Sequence, residues 1–300
     1  MSASLVPHYT LNDPLSKYTT FRIGGPAHVV YLAQSADAVE MAAEHATRQG
    51  TPWRVIGEGS NILAQDTPYE GAIIAFKNAG LPTLSSTGEI NVSGGTSLGK
   101  LIYFAIGCSF QGLENLAGIP GTVGGAVVGN AGAYGSTISD HLASVRLMAA
   151  DGTTSTVDAS ELEFDYRHSR LKKTGEVILD AQFKLPAGDK RQTKDIADTA
   201  RANRYEKHPN YFQVPTAGSF FKNLPPPEGE SRRVAAGKLL DQVDARKMIV
   251  GQAGLWYKHA NIVVNLGRAT SRDVKDLTQE MAGRVRERFG VELEPEVTFL

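Results

Sequence analysis

The sequence predicts an α+β protein made of two subdomains and a smaller C-terminal unit, at residues 1–78, 79–203 and 204–300. Three observations lead there. At 300 residues the chain has room for about two domains of ordinary size, each with its own core. Strand and helix patterns alternate up to about residue 78, and then the apolar residues change to period two around Asp151-Gly152. The last hundred residues form a further block of short strands closed by one long capped helix.

In chain order, His28–Gln34 reads as a strand. Asp37–Gln49 reads as a helix, with Ser35 as its cap and Gly50 at its end. Trp53–Ile56 and Ala72–Phe76 are short apolar strands that complete the first block. The second opens with a strand at Ile90–Ser93. A helix follows in which Leu98, Leu101, Ile102, Ala105 and Ile106 keep the i, i+3, i+4 rhythm. Ser144–Ala150, the Asp151-Gly152 turn and Thr153–Val157 carry a strong hairpin signal. Glu176–Leu185 reads as a strand and Asp189–Glu206 as a polar, basic helix. The third block has strands at Ser219–Lys222 and Ile262–Asn265. Its closing helix starts at the Thr270/Asp273 capping box and stops at Gly290.

Composition narrows the function. Apolar residues at 41% and charged residues at 21% are globular values, against disorder and fibrous repeats. Thirty-one basic against 32 acidic side chains leave a net charge of -1, so neither nucleic acid nor a membrane surface is an expected partner. A single cysteine, Cys108, allows no internal disulfide and no thiolate cluster, and the seven histidines are scattered, so no metal is expected. Met1–Thr20 lacks the basic and apolar regions of a secretion signal, and no apolar run nears the ~20 residues of a membrane span. The expected location is the cytoplasm; oligomeric state is not legible.

Glycine is the outlier, at 31 of 300 residues, or about 10% against a usual ~7%. One cluster is Gly57-Glu58-Gly59-Ser60-Asn61, directly after a strand. The other runs from Gly118 to Gly135 with seven glycines in eighteen positions. Without Cβ atoms such loops let backbone N–H groups approach an anion. Gly57-x-Gly59 lacks the third glycine of a dinucleotide fingerprint, because Ile62 stands there. Gly124 to Gly129 is followed by Asn130-Ala131 rather than the Lys-Ser/Thr of a P-loop. The loops therefore suggest a phosphate-bearing ligand on another scaffold, with ordinary tight turns as the alternative for the shorter one.

Taken in order, these segments resemble the UDP-N-acetylenolpyruvoylglucosamine reductases (MurB) of peptidoglycan synthesis. The matching pieces are Tyr18-Thr-Thr-Phe-Arg-Ile-Gly-Gly25, Gly57–Asn61, Gly112-Leu-Glu114, Gly118–Gly125, Asn130–Gly135 and Tyr166-Arg167-x-Ser169. Ala217–Asn223, Lys258-His-Ala-Asn261 and Leu293–Val297 complete them. The resemblance implies an FAD-binding fold of two subdomains of the vanillyl-alcohol-oxidase (PCMH) type, plus a C-terminal α+β substrate domain. It implies FAD as cofactor and NADPH as hydride donor, with reduction of UDP-N-acetylglucosamine enolpyruvate to UDP-N-acetylmuramate.

Carried over position by position, the resemblance implies Arg167, Ser219 and Glu296 as catalytic. Arg167 would bind the substrate carboxylate, Ser219 would protonate the carbanion and Glu296 would lie close to the reacting carbons. Gly57, Gly59, Ser60, Asn61, Gly118, Ile119, Pro120, Gly121, Thr122, Gly124, Gly125, Asn130 and Gly132 would hold FAD. Lys207, twelve residues before Ser219, and Asn223, four after it, would bind substrate. Glu294 and Glu296 would share one face if their segment were a strand. The chain departs from the family pattern at Glu58, where a glycine is usual, at Arg170-Leu171 after Ser169, and in the Pro-rich stretch after Asn223. The short gap between Arg167 and the strand near Val177 fits the short-loop form of the family, without a substrate-clamping loop.

Two other readings stand beside this one: a flavin oxidase of the same fold class, and a sugar-nucleotide binder without catalysis. Lys207 and the Ser219–Asn223 segment weigh against the first, and the intact Arg167, Ser219 and Glu296 against the second.

Overall fold

The computed structural model describes residues 8–300. Two compact units account for them: unit 1 comprises residues 8–11, 28–58 and 71–204, and unit 2 residues 12–27, 59–70 and 205–300. This division differs from three consecutive blocks. Residues 12–27 and 59–70, expected with the first block, fold with the C-terminal residues. Phe21, Ile23 and Leu63 are buried in the same apolar cluster as Phe220, Val263, Leu277 and Val297. Asp66 also accepts hydrogen bonds at 2.9 Å from the Ser271 N–H at the start of the last helix. These long-range contacts are invisible to local periodicity.

Unit 1 contains two sheets and two apolar clusters; Met148, Val177 and Leu179 of the second sheet share the cluster of the first. The first sheet has the strand order Tyr9–Pro14, Pro26–Ala33, Tyr69–Phe76, Trp53–Ile56, and the last two pair in parallel. The helix Ala36–Arg48 covers it with Val39, Ala42, Ala43 and Ala46, and Ser35 Oγ accepts from the Ala38 N–H at 3.2 Å to cap it. The second sheet has the order Thr154–Asp158, Leu142–Met148, Val177–Phe183, Ile90–Ser93, Thr83–Leu84. The Asp151-Gly152 hairpin forms, with Val145 opposite Val157; Ala149 bonds Thr153, so the loop is the three residues Ala150-Asp151-Gly152 and not two, and Gly152 takes the positive φ of +86° that such a loop needs. The helix Leu98–Gly107 buries all five of its periodic residues against this sheet.

Unit 2 carries a three-stranded antiparallel sheet in the order Thr216–Ser219, His259–Asn265, Ala253–Trp256. The helix Ser271–Phe289 packs beside it with Val274, Leu277, Met281 and Val285 fully buried. Both limbs of the Thr270/Asp273 capping box are formed at 3.0 Å, and Gly290 ends the helix at φ +68°. The strand expected at Ser219–Lys222 ends instead at Ser219. Gly218, at φ +80°, puts an irregularity between the Thr216 and Ser219 pairings, and residues 220–222 turn to pair with 294–296 instead. No described helix is long and apolar enough to cross a membrane.

Candidate active site

In unit 1 the strand Trp53–Ile56 delivers Gly57, where an added Cβ would lie 2.4 Å from Thr122 Oγ1. The first glycine turn therefore rests directly on the second. Gly118 and Gly121 have φ of +83° and +115°, conformations that exclude most side chains. Not every glycine of the long loop faces a ligand, however. Val123–Val128 is a short helix in which the Gly124 N–H donates to the Gly94 carbonyl at 2.8 Å, and the Gly125 N–H to Thr122 Oγ1 at 3.4 Å. A Cβ on Gly124 would meet Gly94 O at 3.1 Å, so this glycine lets helix and strand end approach. Gly94 does similar work against the Ile178 carbonyl, which its Cβ would meet at 2.2 Å. In the sequence only the Gly94-Gly95 doublet signals this close packing.

Arg167 sits at φ +53° in the tight turn between Asp165 and His168, which bridge one another. A non-glycine residue held in that region costs about 1–2 kcal/mol. Its guanidinium donates to the Gly132 carbonyl at 2.8 Å and the Asn130 carbonyl at 3.3 Å. A Cβ on Gly132 would come within 3.3 Å of the same guanidinium. Gly132 and Asn130, expected at the cofactor, thus also position the arginine. Asn130 itself is buried, at φ +43°, and its amide donates to the Asp165 carbonyl at 3.0 Å while its Oδ1 has no hydrogen-bond partner. Ser169, fully buried, fastens the turn through Val128 O at 2.7 Å. Arg170 is ion-paired with Glu176 and Leu171 lies in the core, so this departure from the family pattern is structural.

Arg204 is a further candidate that no motif marks. It lies in the helix Lys190–Lys207, its Cδ 3.3 Å from where a Gly118 Cβ would be. Its Nε is buried with no partner, and no carboxylate among the described residues pairs with it. Burial, and to a lesser degree the like charge of Arg167, holds its pKa below the ordinary value, against the opposing influence of Tyr134. A buried cation without a counter-charge is expensive, and its presence beside a glycine loop marks a place for an anion. No sequence signal separates it from the other basic residues of its helix.

In unit 2, Ser219 ends its strand opposite Ile262, directly after the irregularity at Gly218, a device that re-aims a side chain. The next residues are fastened on both sides. The Phe220 N–H donates to Asn261 O at 2.8 Å, and the buried Asn261 carboxamide bonds both the N–H and the carbonyl of Phe221, at 2.9 and 2.8 Å. The Glu296 N–H donates to the Phe220 carbonyl at 2.7 Å, and the Lys222 N–H to the Glu294 carbonyl at 2.9 Å. The chain end therefore lies alongside the Ser219 segment. The two carboxylates differ: Glu294 is exposed and ion-paired with Lys222, whereas Glu296 is half-buried, and only Pro295 between them forms a β-bridge. The segment is not the regular strand that the shared-face expectation required.

Thr20 links two expected elements of unit 2. Its N–H donates to Gly59 O at 3.2 Å and its hydroxyl to Thr216 O at 2.6 Å. A Cβ on Gly59 would lie 2.1 Å from the Tyr18 carbonyl oxygen, which accounts for this glycine by packing. Lys207 is exposed at its helix end and adds to the burial that keeps the His259 imidazole pKa below its usual value. Asn223 Oδ1 accepts from the Ala236 N–H at 3.2 Å at the start of the helix Ala236–Gln242. That contact gives Asn223 a structural task beside the expected substrate contact.

Residues present in unit 1 fit an anionic dinucleotide: a cationic side chain at Arg204 whose buried Nε lacks a partner, and glycine loops with backbone conformations that side chains rarely adopt. Comparison with known proteins decides the family. Residues 26–158 match the FAD binding domain and residues 208–300 the UDP-N-acetylenolpyruvoylglucosamine reductase C-terminal domain. The UDP-N-acetylenolpyruvoylglucosamine reductase of Agathobacter rectalis is 38% identical over 96% of this chain and 93% of its own.

The chain belongs to the UDP-N-acetylenolpyruvoylglucosamine reductase family.

The Bacillus subtilis reductase is 36% identical over 96% of this chain and 93% of its own. The crystal structure of the Thermus caldophilus family member (MurB) aligns over 98% of both chains with a TM-score of 0.77 and 32% identity. The fold class is accordingly α+β, a two-subdomain FAD-binding fold with the MurB C-terminal domain.

Proposed function

We propose that this chain reduces the enolpyruvyl ether of UDP-N-acetylglucosamine enolpyruvate to the lactyl ether of UDP-N-acetylmuramate, with NADPH as reductant, in peptidoglycan precursor synthesis. Family membership across almost the whole length supports the reaction. The observation that carries the mechanism is the pairing of the Ser219 segment with the Glu296 segment through Phe220 O, at 2.7 Å.

FAD, when bound, supplies the two-electron relay from NADPH to the substrate double bond. The protein's own groups do the rest. Adding a hydride equivalent to the methylene carbon leaves negative charge on the neighbouring carbon and its carboxylate. Arg167 binds that carboxylate through its planar fork and lowers the cost of the charge. The Ser219 hydroxyl gives its proton to the carbon bearing the carboxylate and regains one from solvent. An alcohol is a weak acid, and it serves because the carbanion is a far stronger base held against it. Glu296 presents its carboxyl at the same reacting carbons. Lys207 pairs with the substrate diphosphate and Asn223 bonds the substrate through its amide. Unit 1 holds the cofactor, the C-terminal residues 205–300 of unit 2 bind the substrate, and the work is cytoplasmic.

The test is anaerobic. Protein reconstituted with FAD should lose its visible absorption on adding NADPH and regain it on adding the enolpyruvyl substrate. Return of colour with oxygen but not with the enolpyruvyl substrate would contradict the proposed reaction.

A further inference from the structure

We propose that Glu58 is an internal competitor for the cofactor's diphosphate and sets the flavin affinity of this chain. The inference rests on the reading that the Gly57 turn and the Gly118–Gly125 loop hold FAD.

The Gly121 N–H donates to Glu58 Oε2 at 3.0 Å. Gly121, at φ +115°, is in a conformation open essentially to glycine, so its N–H direction is fixed by the loop. Gly57, the residue before Glu58, packs against Thr122 at a distance no Cβ would tolerate, so the turn that carries Glu58 lies directly beside the Gly121-Thr122 segment. A carboxylate is therefore held on a loop N–H of the kind that binds phosphate oxygens elsewhere. One N–H cannot serve a carboxylate and a diphosphate together, and two anions at hydrogen-bonding range of one donor repel. Binding of the dinucleotide requires Glu58 to release Gly121, at the expense of a charge-assisted hydrogen bond. The opposite role, a strut that prepares the loop for FAD, predicts the opposite sign when the charge is removed.

Two variants separate these roles. Glu58→Gln keeps an acceptor oxygen for the Gly121 N–H and removes the charge; Glu58→Gly removes both. Apoprotein is titrated with FAD by flavin fluorescence at fixed ionic strength, with circular dichroism confirming the fold. Both variants should bind FAD about tenfold more tightly than the parent, about 1.4 kcal/mol. If the parent binds FAD and Glu58→Gln binds no tighter, the competitor role is wrong while the cofactor reading stands. If neither the parent nor either variant binds FAD, the cofactor reading fails and this inference with it.

Discussion

Asn61 donates its side-chain amide to the Glu296 carbonyl at 3.0 Å, and the Thr298 N–H returns to the Asn61 carbonyl at 2.9 Å. A residue expected to touch only the cofactor thus also fixes the backbone of the expected catalytic carboxylate, across more than two hundred residues of sequence.

Asn61→Ala should accordingly cost about 0.5–1.5 kcal/mol of stability, the usual net worth of one hydrogen bond. It should slow flavin reoxidation by the enolpyruvyl substrate more than reduction by NADPH. Urea unfolding and rapid-mixing kinetics measure the two effects; an equal slowing of both half-reactions would contradict the link to Glu296.

Arg167→Lys keeps the charge and removes the planar fork. Hydrogen bonds to charged groups are worth about 1.5–3 kcal/mol, so kcat/KM for the enolpyruvyl substrate should fall by roughly ten- to a hundredfold. Reduction by NADPH should be little changed. Steady-state kinetics with each substrate varied in turn checks this.

Arg204→Met should stabilise the cofactor-free protein, because it removes a buried donor that lacks an acceptor, worth on the order of 1–3 kcal/mol. The same change should weaken FAD binding. Thermal melts of apoprotein and FAD titrations should move in these opposite senses; a variant that loses stability would show that the guanidinium is satisfied within the protein.

Thr270→Ala removes a helix cap and should cost about 1 kcal/mol. The partner Asp273 has its carboxyl pKa lowered, first by the Thr270 backbone N–H. Its contribution is fully present above the unfolded value of about 3.9, and is lost as pH falls through the lower folded value. Stability of the parent should therefore drop more steeply below about pH 4 than that of Asp273→Asn, as read by urea unfolding across that range.

Local chemistry was legible in the sequence where one short segment decides the outcome. The Asp151-Gly152 hairpin, the Ser35 and Thr270 caps and the apolar face from Leu98 to Ile106 all depend on neighbours within a turn or two. Contacts that pair distant segments were not legible. Both glycine clusters suggest ligand-facing loops by composition, but Gly124 and Gly59 are explained by backbone approaching backbone, at Gly94 and Tyr18. Arg204 looked like any basic residue of a polar helix until burial without a partner set it apart. From sequence Asn261 is either pocket-lining or structural; its carboxamide holds Phe221, two residues after Ser219, which is the structural role.

The central claim is that the Ser219 hydroxyl delivers the proton that completes reduction of the substrate. Stopped-flow measurement of the two half-reactions of FAD-loaded Ser219→Ala tests it most directly. Reduction by NADPH should run at a near-normal rate, and reoxidation by the enolpyruvyl substrate should fall by about 10²–10⁴. Equal losses in both steps, or none in the second, would contradict it.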